Sequence, residues 1–292
     1  MDRGVTPLTL MWRGPLDSCN YGCSYCPFAK RPARIPALER DTKALARFTG
    51  WILGQERRFQ VLFTPYGEAL IWPAYQETLR MLSWCPAVVQ VAIQSNGSAP
   101  VSWISGVNLE KLRLWLSWHP SEVALPDFVA RVKLLVEAGV LLSVGAVAVA
   151  GALEAVEALR AALPAAVPMW INAQKPGPRL DAATAARWTE IDPDFHLDRR
   201  AHRSRGLPCS AGETSLFVDG EGDVRRCHFV GEVLGNLYDA PIDGMLAPRP
   251  CPRLRCDCFI GYSRLKHLDL ERRLGPGLVS RRRPLAVLAC PS

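Results

Sequence analysis

The sequence lacks a run long enough to cross a bilayer, and it lacks a leader pattern. Its longest apolar stretch, residues 139–153, is short and glycine-bearing. The first residues show no basic segment followed by an apolar one. No membrane partner is expected, and the reading is a cytoplasmic protein. A basic stripe is missing as well. The formal net charge is +7, but Lys and Arg are scattered apart from the run 281–283, which reads as a solvated tail, so no nucleic-acid partner is expected. Among the 10 cysteines, clustered C-x2-C and C-x-C spacings argue for metal in a reducing compartment rather than for disulfides.

What is present is ordinary for a globular enzyme. The chain has 292 residues, 49% hydrophobic and 22% charged, enough for a large core and a smaller second unit. Short apolar runs predict strands at 8–12, 60–63, 88–94, 112–118, 141–149 and 167–172. Helical periodicity predicts helices at 42–53, 74–82, 128–138, 153–163 and 182–188. Repeated strand–helix units imply a parallel sheet wrapped by helices. Six units are too few for a closed eightfold barrel, so the expected fold is α/β, a partial (β/α)6 TIM-like barrel. Composition changes near 193–208, and the charged, unpatterned 198–206 reads as a linker between a barrel, 1–200, and a small C-terminal domain, 201–292.

The chemistry-bearing stretch follows the first strand. Cys19, Cys23 and Cys26 are spaced C-x3-C-x2-C, and three soft thiolates favour an iron–sulfur cluster, zinc or cuprous copper. A zinc site would close with a fourth nearby Cys or His, and none is there. Three thiolates leave one iron of a cubane unclaimed. Downstream, 215–218 and 224–227 read as a β-hairpin around a Gly/Asp-rich turn, bringing Cys209 and Cys227 to one end. Cys251, Cys256 and Cys258 follow, while Cys85 and Cys290 have no partner in sequence.

The cysteine spacing, with Tyr25 just before the last cysteine, resembles the signature of the radical S-adenosylmethionine (SAM) superfamily. The resemblance implies a [4Fe-4S] cluster on Cys19, Cys23 and Cys26. Its open iron chelates SAM and its electron releases a 5′-deoxyadenosyl radical. Strand-end motifs extend the likeness. Gly67 and Glu68 match the last two residues of a Gly-Gly-Glu motif for the SAM amino group, with Tyr66 in place of the first glycine. Gln94 and Asn96 resemble a strand-end motif that bonds the nucleoside, and Ser117 stands where the family places a ribose or carboxylate ligand. His119 is read equally as a base or a positioning group, and 145–149 loosely as an adenine-stacking segment. Asn172, Gln174 and Lys175 could face SAM or substrate. Tyr25 is a candidate adenine contact.

The C-terminal cysteines resemble the SPASM and twitch auxiliary-cluster domains, which implies a second [4Fe-4S] cluster. Five thiols serve four positions. Cys209, Cys227, Cys256 and Cys258 are the expected ligands, leaving Cys251, between Pro250 and Pro252, as a catalytic hydrogen-atom donor. The alternative is that Cys251 is a ligand and Cys256 or Cys258 is idle. The layout is similar to radical SAM epimerases of neomycin-type aminoglycosides, implying inversion of a carbinol carbon in a small-molecule aminoglycoside, sugar or cyclitol, with an external one-electron reductant. The alternative is an aminocyclitol dehydrogenase or a peptide-modifying enzyme whose auxiliary cluster accepts the electron.

Overall fold

A computed structural model describes residues 6–28, 31–177, 180–275 and 281. Cys290, Arg282 and Arg283 lie outside the described residues. Six parallel strands, β1 (Leu8–Arg13), β2 (Phe59–Phe63), β3 (Val88–Ser95), β4 (Leu112–Ser117), β5 (Leu141–Ala148) and β6 (Met169–Ala173), alternate with α1 (Ile35–Leu53), α2 (Pro73–Trp84), α3 (Leu125–Glu137) and α4 (Leu153–Ala162). The link from β3 to β4 carries only a one-turn 3-10 helix, Val101–Ile104. After β6 come α5 (Ala182–Ile191), α6 (Phe195–Asp198), β7 (His202–Arg203), β8 (Ser215–Asp219), β9 (Asp223–Arg225), β10 (Val233–Asn236), β11 (Arg255–Cys256), α7 (Phe259–Tyr262) and α8 (Leu270–Leu274).

The predicted strands are all found, within two residues at each end. Helix α1 begins seven residues before its predicted start. Pro36 sits in the first turn, where its missing N–H costs nothing. The buried face 41, 45, 48, 49 and 52 has helical spacing but opens on Asp41, a carboxylate that apolar periodicity overlooks.

The sheet runs β10-β9-β8-β1-β2-β3-β4-β5-β6, with β8 parallel to β1 and β8, β9 and β10 antiparallel to one another. The hairpin expected at 215–227 forms, and it also extends the barrel sheet. Sequence gives each strand's pattern but not its neighbour, so that junction was not foreseen.

Both faces of the sheet are buried, as parallel strands require. On the outer face Leu10, Trp12, Val61, Phe63, Ile93 and Leu114 pack against the helices. The inner face carries Met11, Leu62, Ala92, Trp115, Trp170 and Phe217, covered by Phe259, Tyr262 and Leu274 from the C-terminal segment. Side chains alternate along a strand. The residues two positions further on, Arg13, Thr64, Gln94, Ser117 and Asn172, therefore ring the strand ends on that same inner face. The layer below them is apolar and this one is polar.

Residues 198–206 are not a linker. Asp198, His202 and Ser204 are buried. Asp198 accepts hydrogen bonds from Ala173 N (2.7 Å) and Tyr262 Oη (3.0 Å), His202 Nε2 meets Leu197 O at 2.8 Å, and Ser204 Oγ donates to Arg253 O (2.8 Å). The polar run tethers backbone between β6 and the C-terminal segment, and polarity alone had suggested solvent.

Candidate active site and cysteine clusters

Three strand ends lock the first cysteine loop. Leu16 N donates to Asp41 Oδ1 at 3.0 Å, and burial pushes that carboxyl up to about 6. At Gly67 a Cβ would fall on the Ser18 carbonyl, so only glycine lets the β2 end lie against the loop. The next residue completes the contact, Glu68 N donating to Ser18 O at 3.1 Å.

The Glu68 side chain turns inward and is buried. It accepts from Leu70 N (2.9 Å), Ser95 Oγ (2.9 Å) and Asn96 N (2.5 Å), tying β2 to β3. Burial pushes it up to about 7 despite these donors. Asn96 Nδ2 reaches Asn20 Oδ1 at 3.0 Å and lies 4.0 Å from Cys19 Sγ. Gly67, Glu68 and Asn96 are thus brought to the cysteine loop, while Gln94 and Ser117 stand on the inner face nearby.

From the β4 end, His119 Nδ1 lies 2.9 Å from Tyr25 Oη and 3.3 Å from Cys23 Sγ. The Tyr25 and His119 rings stack at 6.0 Å and 13°. Burial pushes His119 down to about 4 and Tyr25 up, so a protonated phenol donates to a neutral imidazole. These contacts are those of a group that positions the loop.

Among the described residues no group of three or more His, Cys, Asp or Glu side chains converges on a single metal ion. Three thiols on one loop are the donor type that an iron–sulfur cluster takes. Cys19 is pushed up by burial, with Glu68 and Cys26 adding to the effect, and Cys23 is pushed up to about 11 by burial, Glu122 and Cys26. These charged neighbours are acids and thiols.

The second thiol group is assembled by short pairings. Strand β11 pairs with β7, Gly206 N donates to Cys251 O (2.9 Å), and Cys209 bridges to Leu265. Buried Arg226 donates to Pro250 O (2.7 Å) and Arg249 O (2.8 Å), fixing the loop before Cys251. A Cβ at Gly261 would come 2.6 Å from Cys256 Sγ, so this glycine makes room for the thiol. Cys227 lies within electrostatic reach of Cys209 and Cys251, and Cys256 within reach of Cys227, Cys258, Cys251 and Cys209. Cys258, besides reaching Cys256, has Asp198, Lys175 and Arg281 as charged neighbours, and Arg13 feels it in turn.

Sequence reasoning passed over Arg13, which ends β1 and lies within electrostatic reach of Cys258. Its Nε donates to Thr64 O (2.6 Å), its guanidinium lies 4.2 Å from the Tyr66 ring centre, and Nη2 is 3.4 Å from His228 Nε2. Counting two residues on from inward-facing Met11 would have found it. Lys175 pairs with Asp198 (3.4 Å) and bonds Asp257 O. Cys85 is buried away from both groups.

No family model and no curated protein matches the chain. Solved structures do. Streptococcus suis SuiB bound to S-adenosylmethionine superposes with TM-score 0.54 at 16% identity, over 80% of this chain and 64% of SuiB. The enzyme anSMEcpe with bound AdoMet gives 0.54 at 14%, over 82% and 77%. Its complex with AdoMet and the Cp18Cys peptide gives 0.51 at 15%, over 82% and 80%. The chain shares their fold. It spans less than two thirds of SuiB, and no described helix is long and apolar enough to cross a membrane.

Proposed function

We propose that this chain is a radical SAM enzyme that oxidises its substrate by two electrons, with an auxiliary cluster as electron acceptor. When bound, a [4Fe-4S] cluster and SAM supply a 5′-deoxyadenosyl radical that takes a hydrogen atom, and a second [4Fe-4S] cluster takes up the remaining electron. Cys19, Cys23 and Cys26 would hold the first cluster. Tyr25, Gly67, Glu68, Gln94, Asn96 and Ser117 would surround SAM, and an external reductant would supply the priming electron. Cys209, Cys227, Cys251 and Cys256 would hold the second cluster. Cys251 lies within electrostatic reach of both Cys227 and Cys256, which supports this reading over Cys251 as a spare thiol; Cys258 also reaches Cys256.

Part of the acidic set that could hold a polycationic aminoglycoside is already engaged by arginine or lysine. A polyamine needs free carboxylates. Asp219 and Asp223 are engaged by Arg225, Asp243 by Arg57, and Asp198 by Lys175, while the strand-end ring presents Arg13.

A second reading keeps inversion at carbon. It is favoured by Cys258, the thiol with Arg13, Lys175 and Arg281 near it, which would replace Cys251 as hydrogen-atom donor. Anaerobic turnover in deuterated water with SAM, reductant and panels of peptides and aminocyclitols separates the two. A product two mass units lighter supports oxidation. A product one unit heavier, with inverted configuration, supports thiol return and rejects the oxidative reading.

A further inference from the structure

His228 follows Cys227 directly, and its ring is wedged between Phe217 (4.7 Å, 80°) and Phe229 (5.0 Å, 61°). Arg13 Nη2 stands 3.4 Å from its Nε2. A guanidinium only donates, so Nε2 accepts and the ring proton sits on Nδ1. That Nδ1 is buried and meets no acceptor among the described residues. Native proteins leave few buried N–H groups unmet, and each one calls for an explanation. Phe217 and Phe229 pack on the ring, and its chain neighbour Cys227 is one of the thiols assigned above to the auxiliary cluster.

We propose that His228 Nδ1–H donates a hydrogen bond to a sulfur of the auxiliary cluster and makes that cluster easier to reduce. Arg13 is the positioning residue: by occupying Nε2 it fixes the tautomer that can donate. Hydrogen bonds to cluster sulfurs stabilise the more negative, reduced form and so raise the potential. The effect suits an acceptor of substrate electrons. This inference rests on the oxidative reading above, because it takes an auxiliary cluster on Cys227 as given.

The test is an EPR-monitored potentiometric titration of the reconstituted full chain, following the signal that SAM does not perturb. His228→Phe keeps the ring packing and the Arg13 charge but removes the donor. At a fixed poise its reduced-to-oxidised ratio is expected to fall about tenfold, which for a one-electron couple is about 59 mV. His228→Gln, with an amide donor, is expected to recover part of the loss. An unchanged potential in His228→Phe carrying eight irons overturns the proposal while leaving the oxidative reading intact. Wild-type protein that binds only four irons overturns both. Should His228→Phe fail to load, wild-type protein labelled with 15N-histidine decides: a histidine coupling on the auxiliary signal is expected, and its absence overturns the inference.

Discussion

At the scale of single residues, backbone contact makes Gly67 the most sensitive position in the site. A methyl group there meets the Ser18 carbonyl, which no rotamer change relieves. Gly67→Ala is expected to cost about 1–3 kcal/mol or more and to separate the β2 end from the cysteine loop. Thermal unfolding and iron content after reconstitution should both fall; unchanged values in both would show that the contact carries no weight. Asp41 makes a pH prediction. Its folded value of about 6 lies above the ordinary 3.8, so the folded state holds the proton more tightly. Its contribution to stability is complete below pH 4 and is lost as pH rises through 6, about 3 kcal/mol in all. Urea unfolding between pH 4 and 7 should therefore show wild type losing ground to Asp41→Asn as pH rises. Parallel curves would contradict the assignment.

Trp115 tests the inner layer. It is buried at the β4 register of Gln94 and edge-on to Phe259 at 5.8 Å. Trp115→Ala is expected to cost about 3–5 kcal/mol, and the C-terminal segment that covers it should become the first region to lose hydrogen-exchange protection. Full protection there would mean that the segment is held mainly by its own pairings.

At the scale of elements, the consequential feature is β8 lying beside β1. A chain ending at residue 206 would leave the β1 edge unpaired and strip cover from Met11, Leu62 and Trp115. Exposed edges and apolar patches of this kind associate. The truncated chain is expected to be insoluble or aggregated by size-exclusion chromatography, and a monodisperse monomer would contradict this account. The strands were legible in the sequence because buried parallel strands are short apolar runs, and the hairpin because of its Gly/Asp turn. Pairing between β1 and β8 spans about two hundred residues, and no local pattern encodes it. The start of α1 and the packed segment 198–206 were missed for one reason: buried Asp41, Asp198 and His202 look solvated until their partners are known.

At the scale of the whole molecule, the thiols fall in two groups on separate segments of the chain. Cys19, Cys23 and Cys26 stand on the loop after β1, and the five C-terminal thiols on the segment that fills the inner face. The first group was legible as a group because its three thiols are local in sequence. The partition of the second was not, because five candidates for four positions are separated only by what surrounds each thiol. There Cys251 stands within reach of Cys227 and Cys256, while Cys258 stands within reach of Cys256 and also of Lys175, Asp198 and Arg13. Iron content tests that partition: Cys251→Ala should lose the irons of the second cluster and Cys258→Ala should keep them.

Reductive cleavage of SAM at the first cysteine loop, proposed above, can be tested before any substrate is known. Anaerobically reconstituted protein, given SAM and a low-potential reductant, should release 5′-deoxyadenosine and methionine, and Cys23→Ala should abolish both. Protein with its full iron complement that releases no 5′-deoxyadenosine, or a Cys23→Ala variant that releases as much as wild type, would contradict the account.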